Sequence, residues 1–161
     1  MTSRFSSAIA LAACLLAVAG CASSAYDHPS TPVPQAPVSV RDWGGRYSTA
    51  ARALAAWVKD NDEDASQVLR WTSRHPEDAR ELLDWAEGHP TADADEFLKS
   101  HSGWKPFRNL MDNHESAVDG FLKWSRKYPE AARDFLTDSE AVLWTGDHPV
   151  AAYWSFERPR S

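Results

Sequence analysis

Residues 71–90 read WTSRHPEDARELLDWAEGHP, and this stretch decides the fold. Its apolar residues recur at the i, i+3, i+4, i+7 spacing that places side chains on one face of a helix. They are Ala79, Leu82, Leu83 and Ala86. Pro76 suits the first helical turn, where its missing N–H costs nothing, and Gly88 suits the end of the helix. The stretch therefore predicts an amphipathic helix over 76–87, with a Trp before it and a second Trp at its end.

The same arrangement recurs along the chain at a constant interval. Trp57, Trp71 and Trp85 are equally spaced. The phrase Trp-x3-His-Pro occurs at 71–76, 85–90 and 144–149, and 124–129 carries a Tyr-Pro variant. The interval, about 14 residues, is too short for a tetratricopeptide unit of about 34 residues or a HEAT unit of about 40.

A longer comparison predicts an internal duplication. Residues 68–83 align with residues 121–136 under a single shift, and the second copy degenerates where Asp138 replaces Trp85. The pattern predicts short helices near 49–60, 63–74, 76–87, 90–100, 105–112, 116–127, 129–136, 139–145 and 149–156. Helices this short are marginal alone, and each Trp ring can bury on the order of 150–250 Å². We therefore predict an all-α fold over 46–157, a compact array of about eight short helices packed together by Trp.

Composition limits the classes of function. The chain has 161 residues and 43% apolar content, enough for one domain with a core. Its formal charge of −6 argues against nucleic acid as a partner, because binding to the phosphate backbone needs clustered Lys and Arg. The two Cys residues cannot build a disulfide-rich scaffold.

The first twenty residues have the pattern of a secretory signal. Arg4 is the only charge before Asp27, and residues 5–18 are apolar or small. A stretch of about 14 residues is too short to span a bilayer, so it indicates a signal peptide over 1–20. The signal ends in Val18, Ala19, Gly20 and Cys21. This box resembles the lipobox of bacterial lipoproteins, and the resemblance covers residues 1–21 only.

The resemblance implies a lipid anchor. Cys21 would carry diacylglycerol on its thiol, cleavage would precede it, and its new amino group would be acylated. Several acyl chains on one residue satisfy the two-signal requirement for stable anchoring. In a Gram-negative cell, Ala22 rather than Asp favours the periplasmic face of the outer membrane over the inner membrane. Cleavage removes Arg4 as the only charge, so the formal charge falls from −6 to −7.

Residues 21–45 are predicted to be the lipidated Cys followed by a tether. Four Pro residues fall between Pro29 and Pro37, and Pro favours extended, unpaired backbone. Twenty such residues reach roughly 60 Å, which would hold the domain off the membrane. Residues 42–47 read as a turn at the domain edge, and 158–161 as a disordered tail.

Four of the six His residues occupy equivalent repeat positions: His75, His89, His114 and His148. Neutral imidazole is a common metal ligand, so a metal or small-ligand site built from these residues is one alternative function. Their spacing places each at a different helix boundary, and Tyr128 replaces His in one copy. Both facts favour a structural role beside the Trp rings, and we predict no cofactor.

No catalytic motif is present in the sequence. It contains no Gly-rich phosphate loop, no Gly-x-Ser-x-Gly, no Ser-x-x-Lys and no spare Cys nucleophile. We therefore predict that the protein is not an enzyme. A cell-wall hydrolase is the other alternative, and it would need two close carboxylates, one with a raised pKa.

Trp43, Trp104 and Trp154 lie off the repeat. They are the candidates for exposed ligand-binding residues, because exposed aromatic anchors often carry binding energy. Helical arrays offer extended binding surfaces. The sequence thus predicts a membrane-anchored envelope lipoprotein whose helical domain binds or scaffolds a protein partner.

Overall fold

The computed structural model describes residues 25–27 and 32–157. Within those residues the chain forms eight α-helices and no strand, which confirms the all-α prediction. The helices are α1 (Val38–Arg46), α2 (Ser48–Arg74), α3 (Pro76–Gly88), α4 (Ala94–Ser100), α5 (Lys105–Lys127), α6 (Pro129–Thr137), α7 (Ser139–Asp147) and α8 (Pro149–Glu157). The signal, the lipobox with Cys21, and the tail at 158–161 lie outside the described residues.

The two long helices each join two of the predicted segments across a kink. The kink of α2 lies at Asp62, whose φ of 36° and ψ of −105° are not helical. The kink of α5 lies at His114, with φ −137° and ψ 28°. The predicted breaks between 60 and 63 and between 112 and 116 fall on these kinks. The sequence therefore located both breaks, and the structure shows bends there instead of separate helices.

The folded domain begins earlier than the predicted boundary at 46. Residues 42–45, expected in a tether and a turn, belong to helix α1. Val40 and Trp43 lie at an i, i+3 spacing and are both buried, so one face of α1 packs onto the domain. Gly44 allows this contact, because a Cβ there would lie 3.2 Å from the Phe156 ring. Burial of this face explains why a Gly-containing stretch is helical.

The helix predicted over 90–100 is shorter than expected. It begins at Ala94, because the side chain of Asp93 accepts a hydrogen bond from the N–H of Glu96 at 3.0 Å and so forms the N-cap. Pro90 therefore lies in the turn before α4 and does not open a helix.

The duplicated helices form the centre of the domain. α2 and α5 end at Arg74 and Lys127, and α3 and α6 begin just after them, so the shift found in the sequence relates each pair. α2 packs against α5, and α3 packs against α6. Helices α7 and α8 cover α2, while α4 covers α5. The largest fully buried side chains are Phe97, Phe107, Phe121 and Phe135.

Candidate functional site

Several pairs of successive helices meet at a single residue, which we call a joint. Four joints share one hydrogen-bond pattern: Tyr47, His75, Tyr128 and His148. The N–H of each joint donates to the carbonyl of the Trp four residues earlier. Its carbonyl accepts from the N–H of an Ala four residues later, and all eight distances lie between 2.8 and 3.0 Å. One residue thus ends one helix and begins the next.

The side chains around a joint explain the repeat. At three joints the ring lies beside the preceding Trp, with ring centroids 5.5 Å apart at His75 and His148 and 6.1 Å apart at Tyr47. The following Ala is buried at every joint, since a larger side chain has no room where the two helices meet. The regular spacing of the His residues is therefore explained by their position at the ends of helices. The full rule is Trp-x3-His/Tyr followed four residues later by Ala.

The copy at Trp85 shows what the Ala contributes. His89 stacks on Trp85 with centroids 4.5 Å apart, as the rule requires. Asp93 stands where the other copies have Ala, and it caps α4 instead of packing inside. The N–H of His89 donates to Ala86 at 3.2 Å, and no helix follows directly. The chain therefore leaves the helical path here and forms a turn.

Two joints lie side by side because their Trp residues exchange hydrogen bonds. The indole Nε1 of Trp43 donates to the carbonyl of Ala131 at 3.0 Å. The indole Nε1 of Trp124 donates to the carbonyl of Ala50 at 2.9 Å. Each acceptor lies three residues after a joint, Tyr128 or Tyr47, so the exchange is reciprocal. The two rings are 6.4 Å apart and buried, which makes this crossing a rigid base.

An open groove of about 420 Å³ lies above that base. We call it the Tyr47–Tyr128 groove. Equivalent segments, 46–50 and 127–131, form its two sides. Both Tyr rings are half-buried. Each Tyr has a cation beside its ring: Arg46 Cζ lies 5.6 Å from the Tyr47 centroid, and Lys127 Nζ lies 5.5 Å from the Tyr128 centroid.

The lining of the groove carries two cations and one carboxylate, in a protein that is acidic overall. Arg46 and Lys127 are exposed, and Glu130 is the single carboxylate among the lining residues that the structure describes. Asp134 orients Arg46 through an ion pair of 3.0 Å between Nη2 and Oδ2. The first turns of α2 and α6, which border the groove, have no side-chain cap. This arrangement suits a ligand that carries negative charge.

The four candidate His residues do not form a cluster: His75 and His148 are joints, His89 follows the end of α3, and His114 lies at the kink of α5. His114 Nδ1 lies 2.7 Å from Asp64 Oδ1, and His75 Nδ1 lies 3.8 Å from Asp78 Oδ2. His89 and His148 pack on Trp85 and Trp144. Among residues 25–27 and 32–157, no group of three or more His, Cys, Asp or Glu side chains is placed to hold a metal ion.

The three Trp candidates do not line the groove. Trp43 is 3% exposed and belongs to the core, so its predicted exposed role is wrong. Trp104 is half-buried, with its ring 5.0 Å from that of Phe97. Trp154 is half-buried, and its indole Nε1 donates to the carbonyl of Ala25 at 3.2 Å. The five remaining Trp residues all contact the core cluster.

The sequence interpretation missed Arg46 and Tyr47, and a signal for them existed. Trp43 lies one repeat interval before Trp57, so it belongs to the same series as Trp71 and Trp85. Ser48 stands where the other joints have Pro, so residues 43–48 do not match the Trp-x3-His-Pro phrase. Reading the series back by one interval would have identified Tyr47 as a joint.

Comparison of the chain with protein-family models, with curated proteins and with solved structures finds no match. Within the part of the chain that the structure describes, no helix combines the length and apolar character needed to cross a bilayer.

Proposed function

We propose that this chain is a bacterial envelope lipoprotein, anchored through acylated Cys21, whose helical domain binds a protein partner in the Tyr47–Tyr128 groove. The partner contributes an extended segment rich in Asp and Glu. The observation that carries the binding proposal is the open groove with paired Tyr and paired cations. The anchoring rests on the lipobox at residues 18–21, and in a Gram-negative cell the proposed site is the periplasmic face of the outer membrane.

Charge supports an acidic occupant. The whole chain carries a formal charge of −6, while the groove lining combines two cations with one carboxylate, and Asp134 behind Arg46 leaves Lys127 as the cation without an ion pair of its own among the described residues. Complementary charge steers a partner toward such a patch and disfavours partners of like charge. An acidic peptide is therefore attracted to the groove and repelled by most of the remaining surface.

Shape and composition support a peptide over a small molecule. The groove is open, and its two sides are formed by equivalent backbone segments, as suits a ligand that lies along it. Tyr rings supply contact area at low entropic cost and are enriched at protein interfaces. A second depression, between Leu83 and Arg133, has a volume of only about 10 Å³, room for about one water molecule.

The binding proposal is tested with defined peptides. Fluorescence anisotropy of a fluorescein-labelled peptide of alternating Glu and Ala is measured against the full chain, with a Lys and Ala peptide for comparison. Lys127→Glu should weaken binding of the acidic peptide by about tenfold, or ~1.4 kcal/mol. Lys123→Glu is the matched control, because Lys123 is exposed on the same helix one turn earlier and does not line the groove.

Ionic strength gives a second measurement on the same samples. The attraction should weaken between about 0.05 and 0.5 M salt, since the Debye length falls to less than about 10 Å over this range. Equal binding of the Lys peptide, or equal losses in Lys127→Glu and Lys123→Glu, would show that the groove is not the site.

Anchoring is tested separately. Cys21→Ser should abolish metabolic labelling with a palmitate analogue and release the protein from the membrane fraction. Persistence of both in Cys21→Ser would refute the lipoprotein assignment and leave the peptide result unaffected.

A further inference from the structure

Residues 25–27 lie against the helical domain and contact residues that are 36 and 129 positions away in the sequence. Tyr26 is 7% exposed, and its hydroxyl donates to Asp62 Oδ1 at 2.7 Å. Its ring meets that of Tyr153 edge to face, with centroids 5.3 Å apart. The carboxylate that accepts this bond belongs to the kink of α2, where the positive φ interrupts the regular helix. The kink therefore serves as the docking point for Tyr26.

Two flanking contacts hold the same turn. Lys59 Nζ lies 3.5 Å from Asp27 Oδ1, and Trp154 donates to the carbonyl of Ala25. Burial, followed by the hydrogen bond to Asp62, raises the pKa of Tyr26 above its usual value, so its hydroxyl stays a donor at neutral pH. We call residues 25–27 with Lys59, Asp62, Tyr153 and Trp154 the clamp.

The clamp limits how far an anchor at Cys21 can lie from the domain. Five peptide units separate Cys21 from Tyr26, a span of at most about 18 Å. Without the clamp, the first buried residue of the domain is Ala36, and fifteen units span up to about 54 Å. The clamp therefore shortens the reach of the tether about threefold. The distance between the domain and an anchor at Cys21 is then set by residues 21–26, and not by the longer Pro-rich spacer that the composition predicts.

We infer that the clamp holds the domain against the lipid bilayer, with the surface around Tyr26 and Trp154 facing the headgroups. This inference rests on the proposed acylation of Cys21. Trp favours the membrane–water interface, where its ring lies at headgroup level, and the half-buried Trp154 belongs to the clamp. The partner of this surface is a lipid headgroup layer.

The groove remains accessible in this orientation. Tyr47 precedes Lys59 by about twelve residues along α2, which separates the groove from the clamp by about 18 Å. The bilayer and an acidic peptide would therefore contact different parts of the domain.

Energy transfer to labelled lipids tests the orientation. Cys21 is acylated and Cys14 lies in the signal, so one introduced Cys supplies the single free thiol of the mature chain. Dye is placed at Asp60→Cys beside the clamp, or at Thr49→Cys beside the groove, since both positions are exposed. The lipidated protein is inserted into phosphatidylethanolamine–phosphatidylglycerol vesicles with an acceptor dye on the headgroups.

With an intact clamp, transfer from position 60 should exceed transfer from position 49. Tyr26→Ala should reduce transfer from position 60 to a small fraction, because the reach grows about threefold. Tyr26→Phe keeps the ring and should retain most of the transfer. Circular dichroism of each variant verifies the helical fold.

The outcomes separate the two proposals. Both proposals, acylation of Cys21 and the clamp, are supported if Cys21→Ser no longer floats with the vesicles and if Tyr26→Ala lowers the energy transfer from position 60. The clamp inference alone is overturned in two cases, both with flotation that depends on Cys21. In the first, energy transfer is unchanged by Tyr26→Ala. In the second, energy transfer from position 49 is larger than that from position 60. Flotation that persists in Cys21→Ser overturns the acylation proposal.

Discussion

The first half of the domain packs against the second half at two crossings, each held by a Trp indole that donates to a backbone carbonyl. The first crossing leaves an open groove, and the second is filled. At the first, Trp43 and Trp124 exchange indole hydrogen bonds, and the space above them is the Tyr47–Tyr128 groove. At the second, Trp57 donates to the carbonyl of Ala117 at 3.1 Å, three residues after the kink at His114.

The second crossing is closed. Leu110 occupies the position where a reciprocal Trp would stand, four residues before His114, and its side chain has no N–H to donate. His114 reaches Asp64 directly, and Tyr26 covers the kink at Asp62. Gly120 lets Trp57 approach, since a Cβ there would lie 2.8 Å from its Nε1. Leu in place of Trp at position 110, the short contact between His114 and Asp64, and the cover of Tyr26 thus distinguish the closed crossing from the open groove.

The largest expected effect is at the open crossing. Trp124→Ala removes a buried ring and the bond to Ala50, so the free energy of unfolding should fall by about 3–5 kcal/mol. Urea denaturation monitored by circular dichroism measures it. Lys123→Ala, its exposed neighbour, should change stability by less than about 0.5 kcal/mol. A loss below about 1 kcal/mol in Trp124→Ala would mean that the reciprocal exchange does not hold the crossing together.

Gly120→Ala should break the closed crossing. Its methyl group would collide with the indole of Trp57, which costs about 1–3 kcal/mol. Gly45→Ala is the matched control, because Gly45 lies in helix α1 with nothing within 4 Å of the place its Cβ would take, and it should gain up to about 1 kcal/mol. Similar changes in both variants, measured by thermal unfolding, would contradict the close approach of Trp57.

Tyr26→Phe removes the bond that covers the closed crossing and should cost about 1 kcal/mol at pH 7. The folded-state pKa of Tyr26 is raised, so its contribution is complete below the unfolded pKa near 10 and is lost as the pH rises above that value. The wild type should therefore lose more stability than Tyr26→Phe between neutral pH and pH 11. The free energy of unfolding of both proteins is measured by urea titration at each pH. Equal losses in the wild type and in Tyr26→Phe would argue against a buried hydroxyl.

Asp64→Asn should have the smallest effect. The pair with His114 is partly exposed, and such pairs contribute about 0.2–1 kcal/mol. Asp84→Asn, in the exposed pair with Arg133, is the control and should change stability still less. A loss above about 2 kcal/mol in Asp64→Asn would show that the ion pair, more than the Trp57 indole, closes this crossing.

The repeat made much of the fold predictable, because helix periodicity and Pro are local signals. The evenly spaced Trp series located the joints, and the internal duplication identified the paired helices. Helix α1 was missed because Gly44 and Gly45 suggest a turn unless the burial against Phe156 is known. That burial depends on a residue at the opposite end of the domain sequence.

The candidate site was less predictable than the fold. Nothing in the sequence pairs Lys127 with Arg46, and both line the groove. Their proximity follows from the exchange between Trp43 and Trp124, which lie in different halves of the domain sequence. Sequence spacing cannot show which two joints meet, and the prediction therefore selected Trp43, Trp104 and Trp154, none of which lines the groove.

The single-residue joints have a mechanical consequence. A loop between helices absorbs an inserted residue, whereas a joint shares one peptide segment between two hydrogen-bonded turns and has no slack. One residue inserted between Tyr128 and Pro129 would turn α6 about its axis by roughly 100° or break the joint. At each such joint, the direction of the second helix is therefore set by the helix before it.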